Sequence, residues 1–403
     1  MKKKLLIILM LFSLFNVVYA SDNLKEKIGS SDVILYNLND DNILYEENSS
    51  RKVQVASLTK IMTAIVTIEN NKDLSQEVEI TSEVFKGIEE YSRAGFKLND
   101  KATYEELLYG VLLSSGADAV NAIVVNMGGN EKFVSLMNEK AKELNLKNTK
   151  FDNAIGMDSE NNYSTAKDLA ELLKYSLQNE TFKKIFTTRT YNIDRLNLKL
   201  SSTLIKYASS GIDISYIKGA KSGFTDGAGY CLASIAEIDD VEYLLVTLGA
   251  NPKGSKSQAV KDATTIYDYF SENYGYQKVI SKGETLKTIK NKFGKEKEYN
   301  IYLNEDKELY LKNTVKLEYI TYQYNGLEEI SSKNKKGDKL GTISLIYENE
   351  VINSYDVYLN DNLEYYHPYL YLDIIVTVVI FVLLLLFKLK KKNKKKRRHK
   401  KRR

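Results

Sequence analysis

Residues 369–387, YLYLDIIVTVVIFVLLLLF, constrain this chain more than any other segment, because a run so apolar must be taken out of water. Apart from its tyrosines, only Asp373 and Thr377 interrupt it. A helix of this length, rising about 1.5 Å per residue, just crosses a hydrocarbon core of about 30 Å. Residues 388–403 follow at once with 13 Lys/Arg and no acid. A buried core helix would not run straight into such a cluster, and a nucleic-acid tail would not need the apolar run. The positive-inside rule places the basic tail in the cytoplasm and everything before Tyr369 outside. Tyr365, Tyr366, Tyr369 and Tyr371 stand where an aromatic belt would mark the outer edge of the membrane. Anionic inner-leaflet lipid is the simplest partner for residues 388–403, and no nucleic-acid partner is expected.

The N-terminus agrees with export. Lys2–Lys4 form a positive start, Leu5–Val18 an apolar stretch, and Val18-Tyr19-Ala20 resembles a small-x-small cleavage site. Residues 1–20 therefore read as a secretory signal removed after Ala20. With both ends set aside, residues 21–387 hold 42 basic and 53 acidic side chains, a net of −11, so the folded part is acidic although the whole chain is +5. The single cysteine, Cys231, cannot form an internal disulfide, and its setting in GYCLASIA reads as a small buried hydrophobe.

The two histidines of the chain, His367 and His399, lie in its last tenth. The body before them therefore cannot build a Ser-His-Asp triad, a Cys-His dyad or a histidine-based zinc site. A base there must be Lys, Glu, Asp or Tyr. No acidic cluster has ligand spacing, so neither a metal nor a cofactor is expected.

Residues 31–46 read as a β-hairpin around LNDD. Val55–Ile68 is too long an apolar stretch for a strand and reads as a buried helix, with Ser57 and Lys60 as polar intruders. Further helices are expected over 103–127, with Thr103 as cap, and over 130–144, 164–178 and 256–272; Ser164 or Thr165 would cap the third of these. Between them, AKSGFTDGAG (220–229) reads as a turn, followed by two long apolar strands, YCLASIAEI and EYLLVTLGA. Beyond about Tyr276 the helical period is lost, and 277–360 reads as a small all-β domain.

A serine three residues before a lysine on a helix shares its face, with Cβ atoms about 5–6 Å apart. An amine so placed can take the proton of a hydroxyl, provided burial or a second cation lowers its pKa. Five Ser-x-x-Lys tetrads occur, at Ser49, Ser57, Ser164, Ser215 and Ser332, and only Ser57–Lys60 lies in an apolar helix. On the tetrad alone, a lysine snorkelling out of a core helix explains the pattern equally well. Two further elements change the balance. Leu112–Asp118 (LLSSGAD) breaks an apolar helical run with Ser115-Gly116. Lys218–Thr225 (KGAKSGFT) sets Lys221-Ser222-Gly223 where a long inner strand begins, and glycine there lets a ligand lie against the backbone.

The order Ser-x-x-Lys, Ser-Gly-x, Lys-Ser-Gly resembles the penicillin-recognising serine enzymes, and among them the serine-type D-alanyl-D-alanine carboxypeptidases, the low-molecular-mass penicillin-binding proteins. The likeness runs over about residues 30–360. It includes VILYNLNDDNILYEENSSRKVQVASLTKIMTAIV, FDNAIGMDSENNYSTAKDLAEL, GAKSGFTDGAGYCLASI and, in the β region, KKGDKLGTISLIYENEVINSYDVYL. The resemblance implies an α+β fold: a β-lactamase/transpeptidase-like catalytic domain at 24–274, built as an antiparallel sheet with helices. A small all-β domain at 277–360, one transmembrane helix at 369–387 and a cytoplasmic tail at 388–403 would follow. It implies Ser57 as acylated nucleophile, Lys60 as its base and Ser115 as proton relay. Lys221 and Ser222 would hold the substrate carboxylate. The backbone N–H groups of Ser57 and Phe224, the latter beside Gly223, would form the oxyanion hole. The implied partners are peptidoglycan stem peptides, with β-lactam antibiotics as acylating inhibitors. Three positions depart from the family: Ala117 replaces the Asn of the middle motif, Ser222 replaces Thr, and Ala154 replaces a common Pro. Alternatives are a β-lactamase-like hydrolase, against which stands the lack of a clear extra Glu to activate water, or a catalytically weak protein that binds wall peptide, which Ala117 alone favours.

Overall fold

The structure, a computed structural model, describes residues 24–208, 211–365 and 368–400. The expected signal at 1–20 lies outside the described residues. The chain divides into two units, one ending at Asn273 and one beginning at Tyr274.

The first unit is organised by an antiparallel sheet. After a short helix α1 (Leu24–Lys27), strands β1 (Asp32–Asn37) and β2 (Asn42–Glu47) form the expected hairpin. A 3₁₀ turn, Ala56–Leu58, leads into α2 (Thr59–Asn70), whose first ten residues are all buried. Two short strands, β3 (Glu77–Glu79) and β4 (Lys101–Thr103), pair ahead of α3 (Tyr104–Leu112). Thr103 caps α3 in a reciprocal box: its Oγ1 accepts from the Glu106 N–H and the Glu106 carboxylate accepts from the Thr103 N–H. The helical stretch expected over 103–127, with its break at Ser115-Gly116, is α3 and α4 (Ala117–Asn126), and Ser115 takes a left-handed φ of +57° between them.

Helices α5 (Asn130–Glu143), α6 (Ala166–Leu177) and α7 (Glu180–Thr187) follow, with Thr165 rather than Ser164 capping α6 through the Asp168 N–H. A ribbon of β5 (Thr190–Ile193) and β6 (Leu198–Ser201) and a short helix α8 (Ile205–Ala208) lead to three long strands. These are β7 (Ile217–Thr225), β8 (Gly229–Ile238) and β9 (Val241–Ala250), and α9 (Gln258–Asn273) closes the unit.

The sheet order is β2-β1-β9-β8-β7. Strand β8 alternates between its two faces. Cys231, Ala233 and Ile235 join the main core with α2 and α6, while Ser234 faces α9, its Oγ 2.9 Å from Tyr267 Oη. Cys231 is buried and free, and burial raises its thiol pKa to about 12, which leaves it inert.

Two expectations need correction here. Residues 220–225 are strand, so the turn is confined to 226–228. And β7 is the edge of the sheet, not an inner strand. Gly223 and the Asp226-Gly227 pair mimic turn chemistry, but the glycine serves a close backbone approach described below.

The second unit is β throughout until its final helix. Strands β10 (Tyr274–Ile280) and β13 (Lys307–Lys312) pair, as do β11 (Lys287–Lys292), β12 (Glu298–Ile301) and β15 (Glu329–Ser331) in a second sheet. A third sheet orders β14 (Thr321–Gly326), β16 (Lys339–Tyr347) and β17 (Glu350–Tyr358) as β14-β16-β17. Their inward side chains, among them Ile289, Ile301, Ile343 and Val357, make a separate core. Helix α10 (Pro368–Lys400) carries a stretch, Tyr371–Lys392, long and apolar enough to cross a membrane, and none of it is buried against the protein.

Candidate active site

Ser57 and Lys60 meet through a strained entry to α2. Ala56 holds a φ of +47°, which non-glycine residues rarely adopt, and opens the 3₁₀ turn that carries Ser57. One turn on, Lys60 Nζ lies 2.9 Å from Ser57 Oγ. Lys60 is only 1% exposed, and it also donates to the Ile155 carbonyl at 2.7 Å. A hydroxyl and a carbonyl neutralise no charge. Burial therefore lowers the amine to about 7, against an opposing pull from Asp118. Asp118 is itself buried and accepts from the N–H groups of Ala94, Gly95, Phe96 and Ala119. Near neutral pH much of Lys60 is uncharged and has a lone pair for the Ser57 proton.

The loop presenting the Ile155 carbonyl is fixed from both sides. Asn153 Oδ1 accepts from the N–H groups of Gly156 and Met157 at 2.7 and 2.9 Å, and Thr63 Oγ1 donates to the Ala154 carbonyl at 2.7 Å. Gly156 has a φ of +88°, and a Cβ there would stand 2.0 Å from the Ala56 carbonyl oxygen. Only glycine fits, so the strained turn and the loop hold each other.

A second amine–hydroxyl pair repeats the pattern. Lys221, on β7, donates to Ser115 Oγ at 2.9 Å and to the Ser222 carbonyl at 2.7 Å. Lys221 is fully buried. Burial pushes its pKa far down, and the charge of Lys60 pushes the same way. The Ser222 hydroxyl donates to Thr203 Oγ1 at 2.8 Å.

Strand β7 then passes Ser57 closely. A Cβ on Gly223 would lie 3.0 Å from the Ser57 nitrogen and 3.1 Å from Ala56 Cβ. As an edge strand, β7 keeps alternate N–H and C=O groups free of β8. Free N–H groups there, beside the Ser57 N–H, can hold a developing oxyanion. The Phe224 ring stacks on Tyr230 at 4.4 Å and remains 45% exposed at the rim. Ala117 is fully buried and supplies no polar group.

The structure thus joins Ser57 to Lys60, joins Ser115 to Lys221 and lays Gly223 against Ser57. Sequence reading missed the Ile155 carbonyl, Asn153, Asp118 and Thr203. Asn153 carried a signal, since an Asn three residues before a Gly often closes a side-chain turn on the backbone. Thr203 carried none. Among the described residues, no three or more His, Cys, Asp or Glu side chains cluster as a metal site would require.

Comparison with known proteins matches residues 18–252 to the D-alanyl-D-alanine carboxypeptidase family and residues 274–365 to the C-terminal domain of penicillin-binding protein 5. The chain is 31% identical over 323 residues to D-alanyl-D-alanine carboxypeptidase DacF of Bacillus subtilis, covering 77% of this chain and 79% of that one. It is 27% identical to the DacC carboxypeptidase of Escherichia coli, covering 80% and 81%. Among solved structures, penicillin-binding protein 5 of Haemophilus influenzae aligns with a TM-score of 0.63 at 21% identity, over 84% of this chain and 98% of that one, which speaks to the fold. The Streptomyces K15 DD-transpeptidase aligns with a TM-score of 0.55 at 28% identity, over 60% and 97%.

Proposed function

The chain belongs to the D-alanyl-D-alanine carboxypeptidase family of low-molecular-mass penicillin-binding proteins, and from that membership we propose that it removes the terminal D-alanine of peptidoglycan stem peptides through an acyl-enzyme on Ser57. It is a serine-type carboxypeptidase. The observation that carries the mechanism is the 2.9 Å contact between Ser57 Oγ and a buried lysine that forms no ion pair among the described residues.

Ser57 Oγ attacks the carbonyl carbon of the penultimate D-alanine while its proton passes to neutral Lys60. The oxyanion rests on the N–H groups of Ser57 and Phe224. Collapse breaks the C–N bond, and the proton returns through Ser115 to the departing amine. Lys221, with Ser222, holds the terminal carboxylate, and that anion, as a countercharge beside the buried amine, favours the ammonium form of Lys221. Water then opens the ester, again with Lys60 as base. A β-lactam acylates the same hydroxyl. Residues 1–20 direct export and are removed by cleavage after Ala20. Residues 369–387 span the membrane once, which leaves the catalytic domain outside and the 388–403 tail against cytoplasmic lipid.

The test is to treat the full-length protein with penicillin and locate the covalent adduct by mass spectrometry, alongside D-alanine release from a peptide ending in D-Ala-D-Ala. A long-lived adduct on Ser57 with D-alanine release is expected. Rapid turnover of the adduct would favour a β-lactamase-like hydrolase. Binding of the peptide without release would favour the reading in which Ala117 leaves a binding protein.

A further inference from the structure

Outside the catalytic unit, the second unit carries a cleft of about 310 Å³ at the free edge of β17. Its walls are the 302–305 turn that follows β12, the start of β13 at Lys307, and Tyr355, Asp356, Tyr358 and Asn360. We propose that this cleft binds an uncharged N-acetylated glycan, the polysaccharide strand of the wall, while the first unit works on the peptide; the proposal rests on the reading above that peptidoglycan is the substrate.

Three features point to a sugar. Tyr302, Tyr355 and Tyr358 all line one small cleft, and Tyr358, 43% exposed, offers its ring to solvent there. Flat aromatic faces suit the C–H faces of pyranose rings, as they suit other large amphipathic surfaces. The polar groups between them are amides and carboxylates, the donors and acceptors that sugar hydroxyls and acetamido groups need. The charges are already neutralised: Lys307 pairs with Glu305, and Lys339 pairs with Asp356 at 2.7 Å. A cleft so balanced favours neither an anionic lipid headgroup nor a charged peptide.

The rim is also held in place before any ligand arrives. The Tyr302 hydroxyl donates to Asp361 at 2.8 Å, Asn304 donates to Asn360 Oδ1 at 2.8 Å, and Asn360 donates to the Tyr302 carbonyl at 2.9 Å. Lys307 lies over the Tyr355 ring, 5.2 Å from its centroid, and fixes that wall. Groups locked in advance lose less freedom on binding. The volume lies at the lower end for small-ligand sites, room for about one sugar ring of a longer strand.

The test uses the full-length protein in detergent with chitotetraose and with wall glycan stripped of its stem peptides and amidated at the freed lactyl carboxyls, so that both probes are uncharged, followed by saturation-transfer NMR and co-sedimentation. Wild type is expected to bind both probes. Tyr358→Ala should lose at least fivefold in affinity, while Tyr358→Phe, which keeps the ring, should retain it. Release of D-alanine from a soluble D-Ala-D-Ala peptide should be unchanged in both variants, and release from intact wall should fall in Tyr358→Ala only. Absence of glycan binding by wild type, or wild-type affinity in Tyr358→Ala, overturns the proposal, as does displacement of the glycan by free stem peptide. Loss of release from the soluble peptide in wild type would instead sink the carboxypeptidase mechanism, so the two failures are distinct.

Discussion

Lys60 and Lys140 are both withdrawn from solvent in the first unit, and they end in opposite states. Lys140, on α5, is 12% exposed and pairs with Glu69 at 2.7 Å and Glu143 at 2.8 Å. Burial pulls its pKa down, but hydrogen bonds to Glu143, Glu69 and Tyr175 outweigh it, so its pKa is raised and the ammonium form is secured. Lys60 meets only a hydroxyl and a carbonyl, and burial wins. The fold gives Lys140 two carboxylate partners and Lys60 none at ion-pair distance among the described residues. The acid that reaches Lys60, Asp118, spends its oxygens on four backbone N–H groups. One side-chain chemistry becomes a fixed cation in one place and an easily neutralised amine in the other.

The sharpest way to break that contrast is to exchange the roles. Lys60→Ala should cut kcat/KM by about 10²–10⁴, the usual worth of a general base. Lys60→Arg should fare no better, since a guanidinium cannot give up its proton. Lys140→Met should leave kcat/KM within about twofold and cost about 1 kcal/mol of stability, read by denaturant titration. Stability should move the other way at the active site. The unfolded chain holds a proton on Lys60 up to about 10.5 and the folded chain only up to about 7, so the fold loses stability as pH falls from the first value to the second. Lys60→Met should therefore gain about 1–3 kcal/mol at pH 7 and much less near pH 10. A Lys60→Met protein that is less stable than wild type at pH 7 would show that the amine is not an unpaired burden.

The pH profile gives the next effect. Lys60 accepts a proton only when neutral, so kcat/KM should climb with a one-proton slope through about 7 and then level off, falling about tenfold for each unit below the bend. Lys140→Met should leave the bend in place. Gly156→Ala should follow with a loss of about tenfold or more in kcat/KM, since its Cβ would press on the Ala56 carbonyl and misplace Ser57. Wild-type rates in that variant would mean that the strained turn does not set the nucleophile.

The hairpin of β1 and β2, the buried helix α2 and the long strands β8 and β9 were readable because hydrophobic period and turn chemistry agreed there. The same agreement drew attention to Ser57 and Lys60, but a snorkelling lysine fitted the tetrad as well, and only the Ser-Gly and Lys-Ser-Gly elements tipped the balance. Strand β7 defeated the reading for a physical reason. Gly223 and Asp226-Gly227 look like turn residues, whereas Gly223 is glycine because the Ser57 backbone lies 3.0 Å from where its Cβ would be. Edge and inner positions are equally opaque, since both can be apolar and only the strand order separates them. The backbone carbonyl of Ile155 has no sequence signature at all, and Thr203 finds Ser222 across 19 positions through tertiary packing alone.

Ser222 offers the smallest and most discriminating change. Its hydroxyl, linked to Thr203 Oγ1 at 2.8 Å, stands next in sequence to Lys221, whose amine contacts a hydroxyl and a carbonyl and no acid. If the hydroxyl matters, Ser222→Thr keeps it and adds only a methyl group on an edge strand, where a β-branched residue sits well. A change of less than twofold in kcat/KM is expected. Ser222→Ala removes the donor, and if that hydroxyl holds the substrate carboxylate it should raise KM about tenfold with kcat nearly intact, since the reacting carbonyl keeps its contacts. If both variants matched wild type, the Ser222 hydroxyl would be scaffold held by Thr203, and no part of carboxylate recognition.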